Sequence, residues 1–206
     1  MSKIEWTKET WNPIIGCSKI SEGCRNCYAE KMAARLANMA LAGHNVQALK
    51  PYSDVTDCIV DECEYDIAKH WNGQTALVES ALDKPLHRKK PTVYFVCSMG
   101  DLFHESVKVE WIVRVLTVIS RCPQHTFLIL TKRPERASAH CYPANCYLGV
   151  TAENQKTANE RIPYLLNIPA AKRFISIEPM LEMVVLLDVE FDRYRHFNVL
   201  EGGGDV

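Results

Sequence analysis

The chain is short of the features that place a protein in a membrane or across one. No apolar run approaches the roughly 20 residues that a spanning helix needs. The opening residues, Met1-Ser2-Lys3-Ile4-Glu5-Trp6, lack the apolar stretch of a secretory signal. A cytoplasmic location is the resulting expectation, with no membrane partner. There is no excess of charge: 24 Lys and Arg stand against 25 Asp and Glu, a net charge of −1. That argues against a broadly basic surface made to coat nucleic acid. Local basic patches remain, at His87-Arg88-Lys89-Lys90 and at Lys132-Arg133 with Arg136. The nine cysteines are an odd number, and in a reducing compartment they do not read as a disulfide framework.

What is present is one compact cysteine group. Cys17, Cys24 and Cys27 lie in Gly16-Cys17-Ser18-Lys19-Ile20-Ser21-Glu22-Gly23-Cys24-Arg25-Asn26-Cys27-Tyr28. Six residues separate the first pair and two the second. Cys58, Cys63, Cys97, Cys122, Cys141 and Cys146 are scattered and read as small buried hydrophobes or surface thiols. Three thiolates on one loop hold three corners of a metal site and leave the fourth for a substrate or cofactor.

Immediately after Cys27 comes an Ala-, Leu- and Met-rich segment with apolar residues at 28, 32, 36 and 39 and a glycine at 43. This predicts a helix from Tyr28 ended by Gly43. The cysteine loop then feeds a helix N-terminus, whose partial positive charge favours thiolates. Residues 44–90 are the least periodic and read as an insertion, with a turn at Trp71-Asn72-Gly73, a short strand at 74–79 and a helical turn near Pro85.

From residue 92 a rhythm appears. Strands are predicted at Val93–Cys97, Thr126–Leu130, Cys146–Val150, Arg173–Ile177 and Phe197–Leu200. Helices are predicted at Val107–Ser120, Pro134–His140 and Asn154–Leu166. A sixth strand at about residues 11–16 is weakened by Pro13. Nearly unbroken apolar strands alternating with helices predict a parallel sheet covered by helices. Each strand is followed by polar residues: Ser98 and Asp101, Thr131-Lys132-Arg133, Glu153, Ser176 with Glu178, and Glu201 with three glycines. In such folds sites are built at the C-terminal strand edge. These residues have ordinary roles open to them as well: helix capping for Ser98 and Asp101, solvated loop acids for Glu153 and Glu178, a helix start for His104, a frayed end for Gly202–Gly204.

Two metals suit the cysteines. A structural zinc site needs a fourth ligand, from Cys58, Cys63 or His44, and no second close-set pair supplies it. A cluster of four irons with one iron left open fits three cysteines. S-adenosylmethionine could chelate that iron through its amino and carboxylate groups. Its reductive cleavage gives a 5′-deoxyadenosyl radical, and the protein's work is to hold, aim and exclude water.

Several segments together form one series: Thr10-Trp11-Asn12-Pro13, the loop from Gly16 to Glu30, Ser98-Met99-Gly100-Asp101-Leu102-Phe103-His104-Glu105, Leu130 to Arg136, Leu148-Gly149-Val150-Thr151 and Arg173 to Pro179. On these segments the chain resembles the phage-associated three-cysteine-motif family, which occurs in bacteriophage and bacterial genomes and is similar to radical S-adenosylmethionine enzymes. The resemblance implies a single α/β domain over residues 1–206 with a partial parallel (β/α)6-type barrel. It implies a [4Fe-4S] cluster on Cys17, Cys24 and Cys27, and S-adenosylmethionine as cofactor. Candidate cofactor contacts are Ser98, Asp101, Lys132, Glu153, Ser176 and Glu178. A reductant protein would serve the cluster, and a nucleic acid or nucleotide is the candidate substrate. The competing expectation is a zinc-stabilised, non-catalytic module that binds nucleic acid or protein. The usual radical-enzyme loop spaces its cysteines by three and two, and the family usually has Asn at the position of Cys97. Family members continue past the glycines at which this chain departs, so the expectation is a barrel truncated at its C-terminus with an exposed sheet edge.

Overall fold

Four apolar runs between Val93 and Ser176 form the sheet that organises the molecule. The structure is a computed structural model that describes residues 7–60, 66–186, 189–192 and 195–197. In chain order its first half contains β1 (Glu9–Trp11), β2 (Ile14–Ile15), α1 (Tyr28–Leu41), α2 (Val46–Asp54), β3 (Thr56–Val60), β4 (Asp66–Trp71), β5 (Ala76–Leu77) and α3 (Glu79–Leu82). The second half contains β6 (Val93–Val96), α4 (Val109–Ser120), β7 (Thr126–Thr131), α5 (Pro134–Ala137), β8 (Cys146–Thr151), α6 (Gln155–Asn167), β9 (Lys172–Ser176), β10 (Val189–Asp192) and β11 (Arg195–Phe197). Short 3-10 turns occupy Glu22–Cys24 and Lys84–His87.

The main sheet has five strands in the order β1-β6-β7-β8-β9, every pair parallel. The spatial order follows the chain order and never reverses. Parallel crossovers are right-handed, so the intervening helices fall on one face. Side chains alternate across the strands. Trp11, Val96, Ile129 and Leu148 form one row under the helices, and Tyr94 and Phe127 stack in the next. They pack against Ile112, Val115, Leu116 and Ile119 of α4 and Ala158, Ile162 and Leu165 of α6. The opposite face carries Phe95, Leu128, Leu130, Tyr147 and Phe174, all half-buried. The apolar runs thus suggest two covered faces where helices cover one. Phe174 lies across Gly149, where a Cβ would come 2.5 Å from its ring.

The strand expected at residues 11–16 is two elements. Trp11 ends β1 in the parallel sheet, whereas Ile14 and Ile15 pair antiparallel with Leu77 and Ala76 of β5. Pro13 lies between them and has no N–H with which to continue a ladder. The strand expected at 74–79 is β5. Residues 198–200 and Glu201–Val206 lie outside the described residues. Phe197 closes an antiparallel hairpin with Val189, not a further parallel strand.

α1 runs as expected from Tyr28 and ends in a Schellman turn, with Gly43 N–H on Ala40 O and His44 N–H on Met39 O. Gly43 has φ 83°. Its buried face differs in part from the one the large apolar residues suggest. Ala29, Ala33, Ala34, Ala37 and Ala40 are buried, while Tyr28, Met39 and Leu41 are exposed. Small side chains let α2 and the β3–β4 hairpin approach closely, and this forms a second small core with Ile15, Val55, Trp71 and Met99. Asn38 donates to Ala68 O at 3.0 Å and accepts from Ala68 N at 2.7 Å, which caps the hairpin's edge. The segment 44–90 read as an insertion is therefore α2, this hairpin, β5, α3 and a 3-10 turn that begins Lys84-Pro85. No helix among the described residues is long and apolar enough to cross a membrane.

Candidate functional site

The C-terminal ends of β6, β7 and β8 and the cysteine loop meet at one edge of the sheet. The loop is brought there by a parallel bridge between Gly16 and Gly100, with Gly16 N–H donating to Met99 O at 3.1 Å. A Cβ at Gly100 would stand 2.7 Å from Gly16 O, so only a hydrogen fits between the two backbones. A cavity of about 590 Å³ opens at this edge, lined by all three cysteines of the loop. Ser98, Asp101, Lys132, Arg133 and Glu178 also line it, and Tyr28, Trp71, Phe95 and Leu130 add an apolar wall.

Asp101 is buried at the centre of the strand ends. Its carboxylate accepts from Thr131 Oγ1 at 2.8 and 3.0 Å, Lys132 N–H at 3.1 Å, Phe103 N–H at 3.0 Å and Arg133 Nη1 at 3.3 Å. Arg133 carries this connection to the cysteine loop. It donates from Nη2 to Ser18 Oγ at 3.0 Å and to Ser18 O at 3.3 Å, and from Nη1 towards Cys17 Sγ at 3.8 Å. Its Nε donates to Glu105 at 2.8 Å. Burial works against the guanidinium charge, but the bond to Glu105 and the Asp101 charge outweigh it and raise the Arg133 pKa further. His104 is buried too. Its Nδ1 accepts from Ser106 N–H at 3.1 Å, which leaves Nε2 to donate to Ser18 Oγ at 2.8 Å. Burial and then the Arg133 cation push His104 below the ordinary histidine value, so this imidazole is neutral at neutral pH.

A second buried group sits beneath the loop. Glu153 accepts from Ser21 Oγ at 2.6 Å, from Lys132 Nζ and from Arg161 Nη1 at 2.8 Å. Burial would raise its pKa, but the bonds from Lys132 and Ser21 reverse this and hold it low. Gly23 allows the contact, since a Cβ there would come 2.5 Å from Glu153 Cγ. On the far side Lys19 Nζ pairs with buried Glu30 of α1 at 2.8 Å, and Glu30 also accepts from Trp71 N–H at 3.2 Å. The cysteine loop is thus tied down by Ser18, Lys19 and Ser21.

The three thiols differ. Burial, with the Asp101 charge, pushes Cys17 up to about 12 despite the neighbouring Arg133. Burial would also raise Cys24, but hydrogen bonds from Ser21 and the backbone, together with Lys132, bring it below its ordinary value. Cys27 is the residue that precedes the first turn of α1. Among the described residues no three His, Cys, Asp or Glu side chains are gathered closely enough to hold a single metal ion. Of the suggested fourth zinc ligands, His44 is exposed at the far end of α1, and Cys63 and the side chain of Cys58 lie outside the described residues.

The candidate cofactor contacts divide into three sets. Ser98, Asp101, Lys132 and Glu178 line the cavity with the cysteines. Ser98 donates to Asn12 Oδ1 at 3.0 Å, and Lys132 is paired with Glu153. Glu153 itself is fully buried below and does not line the cavity. Ser176 lines an adjoining cavity of about 420 Å³ with Phe174 and Glu178. Glu178, in the Glu178-Pro179 step, borders both cavities. Ser18, Ser21, Gly23 and Arg161 were not singled out as site residues in the sequence, whereas Arg133 was read with Lys132 as a pair of strand-end cations. The only signal for the first three was adjacency, since they lie inside the cysteine loop.

These features define a parallel α/β protein with a thiol-lined cavity at the C-terminal rim of its sheet. The chain belongs to the family described as "Protein of unknown function (DUF5131)", whose model matches residues 1–205. No curated protein and no solved structure matches it.

Proposed function

We propose that this protein is an iron–sulfur enzyme of the radical S-adenosylmethionine type, with a [4Fe-4S] cluster held by Cys17, Cys24 and Cys27. One observation carries the reading: three thiols of one loop open into one cavity at the rim where strand-end polar residues converge. The chemistry of the donor set fits the group. A single zinc ion at about 2.3 Å from each thiolate needs its sulfurs within about 4 Å of one another, whereas cluster thiolates each take a different iron and stand farther apart. Three cysteine thiolates leave the fourth iron of such a cluster open, as the proposed cofactor requires. The unreversed strand order supports the finer fold assignment, since a partial (β/α)6 barrel wall is built in that order.

When bound, such a cluster would supply one electron to S-adenosylmethionine, the chemistry that would start hydrogen abstraction from a substrate. The chain's own residues do the rest. The Asp101–Arg133–Ser18 and Glu153–Ser21 links fix the loop so that the sulfurs keep their aim. Glu178, which lines the cavity and has no partner among the described residues, would receive the cofactor's amino group. Lys132, which lines the cavity and is paired with Glu153, would contribute charge for the cofactor's carboxylate. Phe95, Leu130 and Trp71 provide the wall that excludes water. Trp71 Nε1–H is buried without an acceptor among the described residues, the kind of donor that a bound ligand completes.

The test is turnover. Anaerobically reconstituted protein, given dithionite and S-adenosylmethionine, is expected to release 5′-deoxyadenosine, and Cys24→Ala to release none. Reconstituted protein that takes up iron and sulfide yet releases no 5′-deoxyadenosine would reject the reaction class.

A further inference from the structure

A second concave surface lies along the seam between α1 and β4. Lys31, Arg35, Asn38, Met39, Ala42 and His44 line it with Ala68 and Lys69 of β4, around a groove of about 670 Å³. Among the described residues no carboxylate borders this groove, and Lys31, Arg35, Lys69 and His44 are all exposed. None of the three lysine and arginine side chains has an ion pair with a described residue. In a chain of net charge −1 this is a concentrated positive surface. Its position on the helix is as telling as its charge. Tyr28, Lys31, Arg35, Asn38 and Ala42 recur at three- and four-residue intervals, so they form one stripe along α1. Lys31 and Arg35 stand one turn apart, about 6 Å along the axis. At the near end of the stripe, Tyr28 is 56 % exposed and lines the cysteine cavity.

We infer that this stripe docks a single-stranded nucleic acid, with Lys31, Arg35 and Lys69 on its phosphates and Tyr28 stacked against a base at the mouth of the cysteine cavity. A row of cations beside an exposed aromatic ring is how single strands are held without regard to sequence. The surface is shallow and open, and the exposed Tyr28 ring at its end favours a nucleic acid, whose bases can stack there, over a bilayer. The docking stands on these residues alone. Only the idea that the strand delivers a base for reaction rests on the proposed function. The inference also relocates the contact first read at Lys132–Arg133, because both of those cations are paired with carboxylates of the chain itself.

Fluorescence anisotropy with labelled 12-nucleotide DNA and RNA strands tests the docking on the full chain without iron, so its outcome is separate from that of the cluster. Three phosphate contacts at about 0.7 each predict a log–log salt slope of about −2, or a fall in affinity of about fifteenfold between roughly 50 and 200 mM salt. The triple variant Lys31→Gln, Arg35→Gln, Lys69→Gln loses at least tenfold in affinity, and its slope approaches zero. Tyr28→Ala loses about tenfold, within what base stacking supplies, and leaves the slope unchanged. All four side chains are exposed, and circular dichroism checks that each variant folds. Preference for DNA or RNA identifies which strand is the ligand. The inference is overturned by saturable binding that the triple variant does not alter, or by no binding of either strand. It is equally overturned if the groove residues control binding to phosphatidylserine vesicles or to an acidic peptide instead. It also falls if strands bind only after Asp61, Glu62 and Glu64 are changed to Asn or Gln, since the groove's occupant is then the chain's own acidic segment.

Discussion

Glu153→Gln is the sharpest probe of how the cysteine loop is supported. The substitution keeps the shape of the side chain and removes its charge. Glu153 is fully buried between Lys132 and Arg161. Removing one partner of a buried ion pair costs about 3–5 kcal/mol, because the remaining charge is stranded. Lys132 keeps 21 % of its side-chain exposure and can turn to the cavity water, which places the cost near the low end, at about 3 kcal/mol. A glutamine amide also turns a donor towards at least one cation. For a chain of this size each kcal/mol moves Tm by about 2–4 °C, so the variant should melt about 6–12 °C below wild type. The sign of the pH dependence follows from the direction of the shift. The folded-state pKa of Glu153 lies below its ordinary value of 4.5. Its contribution is therefore complete above that value and is lost as pH falls through the lower folded value. The gap between wild type and variant should be constant near neutral pH and narrow in acid. Thermal and urea unfolding at several pH values measure it. A variant within 1 kcal/mol of wild type at pH 7 would refute the claim that the loop rests on a buried, paired carboxylate.

Three further substitutions test other contacts. Gly23→Ala places a methyl 2.5 Å from Glu153 Cγ; it should cost about 1–3 kcal/mol by urea unfolding and lower the iron retained after reconstitution. Gly149→Ala drives a methyl into the Phe174 ring; it should cost about 1–3 kcal/mol alone and much less in a Phe174→Leu background, a non-additivity read from a double-mutant cycle. Cys97 is buried at φ 58°; Cys97→Val should destabilise by about 1–2 kcal/mol because a branched side chain is strained there, and an unchanged denaturation midpoint would contradict that assignment.

The central sheet was legible because Val93–Val96, Thr126–Thr131, Cys146–Thr151 and Lys172–Ser176 combine strand length, apolar character and turn residues on both sides. Gly43 was legible as a helix end because a positive φ suits glycine. The buried side of α1 was only half legible: Met32 and Leu36 pack against the second core as their spacing suggests, but most of the buried contacts are alanines, and Tyr28, Met39 and Leu41 are exposed. The β3–β4 hairpin was hidden for a related reason: Asp66, Lys69 and His70 break its apolar alternation, and its support comes from Asn38 and Glu30, some 30 and 41 residues away. At the rim, residue types and positions could be read from strand ends, but the pairing could not. Asp101 with Thr131 and Arg133, and Glu153 with Ser21, Lys132 and Arg161, depend on which strand ends become neighbours. So the sequence points to a rim and its cysteines, while the division of labour between exposed Glu178 and buried Asp101 and Glu153 belongs to the fold.

The whole account turns on what the three thiols hold, and metal and acid-labile sulfide analysis of anaerobically purified protein measures it most directly. About four iron and four sulfide per chain are predicted, with a broad absorption band at roughly 400 nm that disappears in a Cys17→Ala, Cys24→Ala, Cys27→Ala variant. Stoichiometric zinc, with no iron or sulfide even after reconstitution, would contradict it.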